Sequence, residues 1–168
     1  MMNYLLHKKG TRKEILMMRE KENVVEMNEA IIAGKKALNS MKAAKETLSS
    51  ARNWGVWDML GGGLFVDMIK HSKLDDAQEK LQDAKFQLQI FQCELKDVEL
   101  PYHLGVEISD FLTFADFFFD GIIADWLVQS RINDAKEELE NAIPQVEGMV
   151  ENLQKWEKQL MLGKEAER

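Results

Sequence analysis

A chain of 168 residues with 45% hydrophobic and 30% charged residues, two prolines and one cysteine is long enough to bury a core without disulfides or a structural metal, and its composition excludes disorder and argues against a β-sandwich. The lone Cys93 excludes an internal disulfide and, with no secretory signal pattern in M-M-N-Y-L-L-H-K-K-G, points to a reducing, cytoplasmic location. The net charge of −7 is unevenly spread. Residues 1–53 hold 11 Lys/Arg and 6 Asp/Glu (net +5), while residues 54–168 hold 11 and 23 (net −12). A basic helix lying against acidic ones accounts for this split, and acidic neighbours would repel a phosphate backbone, so nucleic acid is not expected as a partner.

In chain order, residues 1–52 read as a basic N-terminal helix. Met17, Val24, Met27, Ile31, Gly34, Leu38, Met41 and Leu48 form a seam at alternating spacings of four and three, interrupted by Glu20 and Lys45. Beside it, Ala30, Ala37, Ala44 and Ala51 recur every seven residues, a flat stripe that admits close approach of a second helix, although alanine also simply favours helix. Two cleaner seams follow. One runs through Leu74, Ala77, Leu81, Ala84, Leu88, Phe91, Leu95 and Val98, the other through Ile132, Ala135, Leu139, Ala142, Val146, Met149, Leu153, Trp156 and Leu160. Pro144 falls on the solvent side of the last seam, where a kink is expected rather than a break, and Pro101 marks a turn between the two.

Residues 53–100 align without gaps on 111–158, at an offset of 58. Asp58, Gly63, Asp67 and Ser72 match Asp116, Gly121, Asp125 and Ser130, polar and glycine identities that a shared heptad pattern does not generate. Each copy reads as an apolar helical turn, a break at the serine, and a long amphipathic helix. Ser72 with Asp75, and Ser130 with Asn133, stand at N-cap and N3 spacing. The fold class is therefore all-α: one domain over 1–168, an antiparallel helical bundle with long coiled-coil-like helices and an internal duplication.

The segment N-W-G-V-W-D-M-L-G-G-G-L-F-V-D-M-I-K-H-S is the most distinctive. Gly61, Gly62 and Gly63 in a row each cost helix stability by about 1 kcal/mol relative to alanine, so a tight turn, a close helix contact or a backbone approach to a ligand is required there. No phosphate-loop pattern surrounds them. The segment resembles one in helical proteins that share two tryptophans, an aspartate, a glycine cluster and a Lys-His-Ser tail, and that resemblance carries no established activity with it. Asp67 and His71, four apart, share a helix face, and Asp125 is the repeat partner of Asp67. If the copies pack about a pseudo-twofold axis, these groups converge on a cation or small ligand; the competing reading makes the aspartates structural acceptors, for instance for the indoles of Trp54 and Trp57. The candidate ligand set is thus Asp67, His71, Asp125, Trp54, Trp57, Asp58 and the three glycines, with the identity of any metal open and no cofactor called.

Phe111, Phe114, Phe117, Phe118 and Phe119 crowd the equivalent part of the second copy, and the last three cannot face one direction on a helix, so this region must be buried on several sides or covered by another chain. The apolar run 111–128 carries Asp116, Asp120 and Asp125, each costing roughly 2.5–3.5 kcal/mol at a bilayer centre, so a membrane span is not expected. No nucleophile constellation can be argued from spacing. The leading expectation is a helical interaction or assembly protein forming a homo-oligomer or binding a protein partner; the alternative is a bundle that binds a metal or small ligand through the repeat-related aspartates.

Overall fold

The computed structural model describes residues 12–57, 65–99, 107–118 and 132–166, all helical apart from Val98 and Glu99. Helix α1 spans Arg12–Trp57, α2 Phe65–Asp97, α3 residues 107–118 and α4 Ile132–Ala166. There is no strand among the described residues, and the four helices pack as a bundle in which α1 contacts both α2 and α4. At about 1.5 Å per residue, α1 is close to 70 Å long, more than twice the roughly 30 Å across a small domain.

The seams are the core. Met27, Ile31, Leu38, Met41 and Leu48 of α1 are buried, with Gly34 among them; so are Ala77, Leu81, Ala84, Leu88, Phe91, Leu95 and Val98 of α2, and Ala135, Leu139, Ala142, Val146, Met149, Leu153 and Trp156 of α4. Ala30, Ala37 and Ala44 are fully buried, so the alanine stripe gives α1 a second packing face, which a helix wedged between two neighbours requires. Gly34 sits where three helices meet. A Cβ built there would stand 2.5 Å from Val150 Cγ2 on α4 and 2.9 Å from Phe91 Cε2 on α2, so only a glycine lets the backbone come this close.

Polar pairs fix the register. Along α1 and α2, Arg19 and Asn23 meet Glu99, and Ser40 Oγ donates to Asp83 at 2.6 Å. Along α1 and α4, Asn28 donates to Glu157 at 3.1 Å, Lys42 meets Glu147 at 2.5 Å, and Lys45 meets Glu140 at 3.4 Å. These pairs are exposed and worth little individually, on the order of 0–1 kcal/mol, so they select alignment more than they stabilise.

Helix α3 presents Ile108, Phe111, Ala115 and Phe118 inward, a single buried face. The Phe111 ring meets Phe91 edge-on, with centroids 5.4 Å apart, and Phe111, Phe114 and Phe118 continue as a tilted stack. Asn152 of α4 donates to Glu107 at the other end of α3. Burial on several sides within this chain does not extend to Phe117, which is 82% exposed; Phe119 lies outside the described residues.

Two expected boundaries differ. α1 continues past Arg52 through Trp57, and α2 runs unbroken from Phe65 through Ser72, so Ser72 does not cap a new helix. Helix nucleation is costly while extension is cheap, and a serine inside an established helix lowers propensity without stopping it. Helix α4 begins at Ile132, and Ser130 lies outside the described residues, as does Pro101. Pro144 is exposed inside a continuous α4, as its place opposite the seam requires.

Candidate functional site

The residues singled out from the sequence are only partly placed. Trp54 and Trp57 fall in the last turns of α1, and Asp67 and His71 in the first two turns of α2. Asp58, Gly61, Gly62, Gly63 and Asp125 lie outside the described residues. Cys93 is exposed on α2, between the buried seam positions Phe91 and Leu95.

What the described helices do bring together is an acidic cleft at the α1–α2 boundary, which the sequence reading did not anticipate. Glu26 and Glu29 stand on successive positions of one α1 face, and Glu94 comes from α2; one carboxylate oxygen from each lies within 4.8 Å of the others. Partial burial, followed by the charges of Glu29, Asp97, Glu94 and Glu22, holds the Glu26 carboxyl above the usual carboxylate range. Every neighbour that moves it is another acid. The cleft, about 450 Å³, is lined by Arg19, Glu22, Asn23, Glu26, Asp97 and Glu99.

Its closed end is built by the termination of α2. Beyond Asp97 the backbone leaves the helix, and Asn23 supplies the missing partners: its Nδ2 donates to the Glu99 carbonyl at 2.5 Å, while the Glu99 N–H donates to Asn23 Oδ1 at 2.8 Å. Arg19 Nη2 donates to both oxygens of the Glu99 carboxylate at 3.1 Å. Arg19 is thereby oriented towards Glu99, and the carboxylates of Glu22, Glu26, Glu29, Glu94 and Asp97 form a region of concentrated negative charge. Such a surface attracts cationic groups; it offers oxygen donors only, with neither His nor Cys in the group.

A second polar feature is internal. Gln92 is the one buried polar residue of the core among the described residues, and its Nε2 donates to Asp116 Oδ1 at 3.0 Å and, more weakly, to the Leu112 carbonyl at 3.4 Å. This ties α3 to α2. Asp116, aligned with Asp58 in the sequence, thus acts as a structural acceptor.

The third feature is uncovered apolar surface on α1. Ile15, Leu16, Met17 and Met18 are all exposed, and so are Val25 and Ile32 farther along. Met17, expected in the first seam, lies beyond the level at which Glu99 closes α2, so it has no α2 residue to pack on. No helix is long and apolar enough to cross a membrane among the described residues. No protein-family model matches the chain, and no curated protein or solved structure matches it significantly.

Proposed function

We propose that this chain is a helical interaction or assembly protein of the cytoplasm, its bundle an antiparallel arrangement of coiled-coil-like helices in which a duplicated unit flanks α1. The observation that carries the functional part is the exposed run Ile15–Met18. Four consecutive large apolar residues place apolar surface on every side of one helical turn, and exposed apolar surface gathered in this way marks a contact with another chain. Phe117, 82% exposed on α3, adds a second uncovered apolar position.

Two observations support the architecture. Pairing partners on α2 and α4 fall in number as those on α1 rise: 19 with 99 and 40 with 83, then 28 with 157 and 45 with 140. Residues 58 apart also share their burial, as Ala77 and Ala135, Leu81 and Leu139, Ala84 and Ala142, Leu95 and Leu153 all do. A helix pair related by duplication and placed on either side of α1 accounts for both.

Sedimentation velocity over a micromolar concentration series, together with cross-linking in native extract, tests the function. Self-association or a cross-linked partner mapping to residues 12–25 is expected, and both should weaken when Leu16 and Met17 are replaced by serine. A chain that stays monomeric throughout and cross-links nowhere on α1 would end this reading.

A further inference from the structure

The outer face of α1 has an order that a random scatter of exposed apolar residues lacks. Met18, Val25 and Ile32 stand seven residues apart and are 62%, 54% and 48% exposed. At 100° per residue they fall within about 40° of one line on the helix surface, pointing away from the core face that holds Met27, Ile31, Leu38 and Met41. That spacing supplies one of the two positions per heptad that a second helix contacts when it packs lengthwise, and the other falls at Glu22 and Glu29.

The two flanks of this stripe are unlike. On the α2 side stand Glu22, Glu26 and Glu29, with Glu94 and Asp97 across the cleft, and carboxylate oxygens of Glu26, Glu29 and Glu94 lie within 4.8 Å of one another. On the α4 side Lys21 and Lys35 are exposed beside Asn28, which is engaged with Glu157. An apolar stripe with one acidic border is complementary to an amphipathic helix whose own apolar stripe has a Lys/Arg border.

We propose that the outer face of α1, together with the acidic α1–α2 cleft, is a docking site for a basic amphipathic helix of a partner protein. The partner's apolar residues lie on Met18, Val25 and Ile32, and its basic flank lies over Glu22, Glu26 and Glu29. A second copy does not fit this face in the arrangement that would pair α1 with itself in the opposite direction about Val25, because Glu22 and Glu29 would then face their own counterparts. The proposal rests on the reading of this chain as an interaction protein, and names the chemistry of one partner.

The test uses the full chain and two fluorescent synthetic peptides with the same heptad leucine stripe, one flanked by lysine and the other by glutamate, followed by anisotropy. The lysine peptide should bind and the glutamate peptide should not. Replacing Glu22, Glu26 and Glu29 together by glutamine should weaken lysine-peptide binding by about tenfold or more, as should Val25→Ser with Ile32→Ser, since the first removes the charge complement and the second the apolar contact. Glu137→Gln with Glu151→Gln, exposed acids of α4, should leave it unchanged. Equal binding of both peptides overturns the proposal. So does full affinity in the Val25/Ile32 variant, or a loss with the α4 pair as large as with the α1 triple, because each means that the acidic protein attracts cations without a shaped site. If Val25→Ser with Ile32→Ser instead converts an oligomer into a monomer in sedimentation, the face belongs to a second copy and the proposal is likewise overturned. Circular dichroism melts establish that each variant folds. Because the peptides are supplied in the assay, their failure to bind leaves the broader interaction reading standing on the Leu16/Met17 experiment.

Discussion

The two halves of α1 are built from the same kinds of residue and end in opposite environments. From Met27 to Leu48, the apolar side chains of the inner face are enclosed by α2 and α4, with Ile32 alone of the large ones pointing outward, and even the backbone is approached so closely at Gly34 that a methyl group does not fit. From Ile15 to Val25, residues of equal hydrophobicity face solvent, and the polar groups beside them gather into an acidic cleft. Hydrophobicity along the chain therefore does not decide burial here. What decides it is which face of α1 a residue occupies and, at the Ile15–Met18 end, that α2 stops at Asp97, its next residues fastened by Asn23 and Arg19.

The largest effect should come from the enclosed half. Phe91 is fully buried, touches the Gly34 crossing and stacks edge-on with Phe111, so Phe91→Ala should cost about 3–5 kcal/mol in denaturant unfolding, through the loss of buried surface and the cavity left behind. Phe86, on the same helix but 58% exposed, is the matched control, and Phe86→Ala should change stability by no more than about 0.5 kcal/mol. Comparable losses at both positions would mean that the bundle's interior is not where the seams place it.

Much of this interior was legible from spacing alone. Each position of the second seam from Ala77 onward is buried, and so are those of the third from Ala135 to Trp156, because a helix packed lengthwise on another must repeat its contacts about every 3.5 residues. What spacing did not reveal is the contact made beside a seam. Gln92 is buried because α2 faces α3 as well as α1, and nothing in the seam pattern marks a position beside Phe91 for burial. The acidic cleft was illegible for a different reason. Glu26 and Glu94 are far apart in the chain, and nothing local states the register that sets them side by side. Ser72 misled because a serine followed three residues later by an acid has cap spacing whether or not a helix is already under way.

The glycines of the two long helices sharpen the contrast at an intermediate scale. Gly34→Ala gains helix propensity of about 1 kcal/mol, but the new methyl would collide with Val150 Cγ2, a β-branched side chain with little rotamer freedom, and with the Phe91 ring, so the net change should be a loss of about 1–3 kcal/mol. Around Gly148 of α4, a built Cβ meets nothing within 4 Å, so Gly148→Ala should stabilise by about 0.5–1 kcal/mol. Thermal melts of the two variants should move in opposite directions. A gain at both would show that α1 and α4 do not approach closely at Gly34.

The smallest expected effects are electrostatic, and they separate the cleft from the ordinary surface of the bundle. Glu26 in the cleft has its carboxyl raised by partial burial and by four neighbouring acids; Glu140 on α4 has its carboxyl lowered, first by the hydrogen bond from Lys45 and then by the charges of Lys136 and Lys45, against an opposing contribution from burial. A carboxyl raised on folding favours the folded state when protonated, so the benefit at Glu26 is present below the ordinary carboxylate range and is lost as pH rises through its elevated value. A carboxyl lowered on folding does the reverse: the benefit at Glu140 is present above the ordinary range and disappears as pH falls through its depressed value. At neutral pH, Glu26→Gln should therefore hold or raise the melting temperature and Glu140→Gln should lower it, both by small amounts because these groups are exposed to solvent screening. Acidification should narrow both differences from wild type. The shift at Glu26 should also shrink in high salt, where repulsion among the cleft acids is screened. A Glu26→Gln variant less stable than wild type at neutral pH would show that this carboxylate is held by a favourable partner, and that the cleft does not carry the unneutralised charge on which a basic helix would dock.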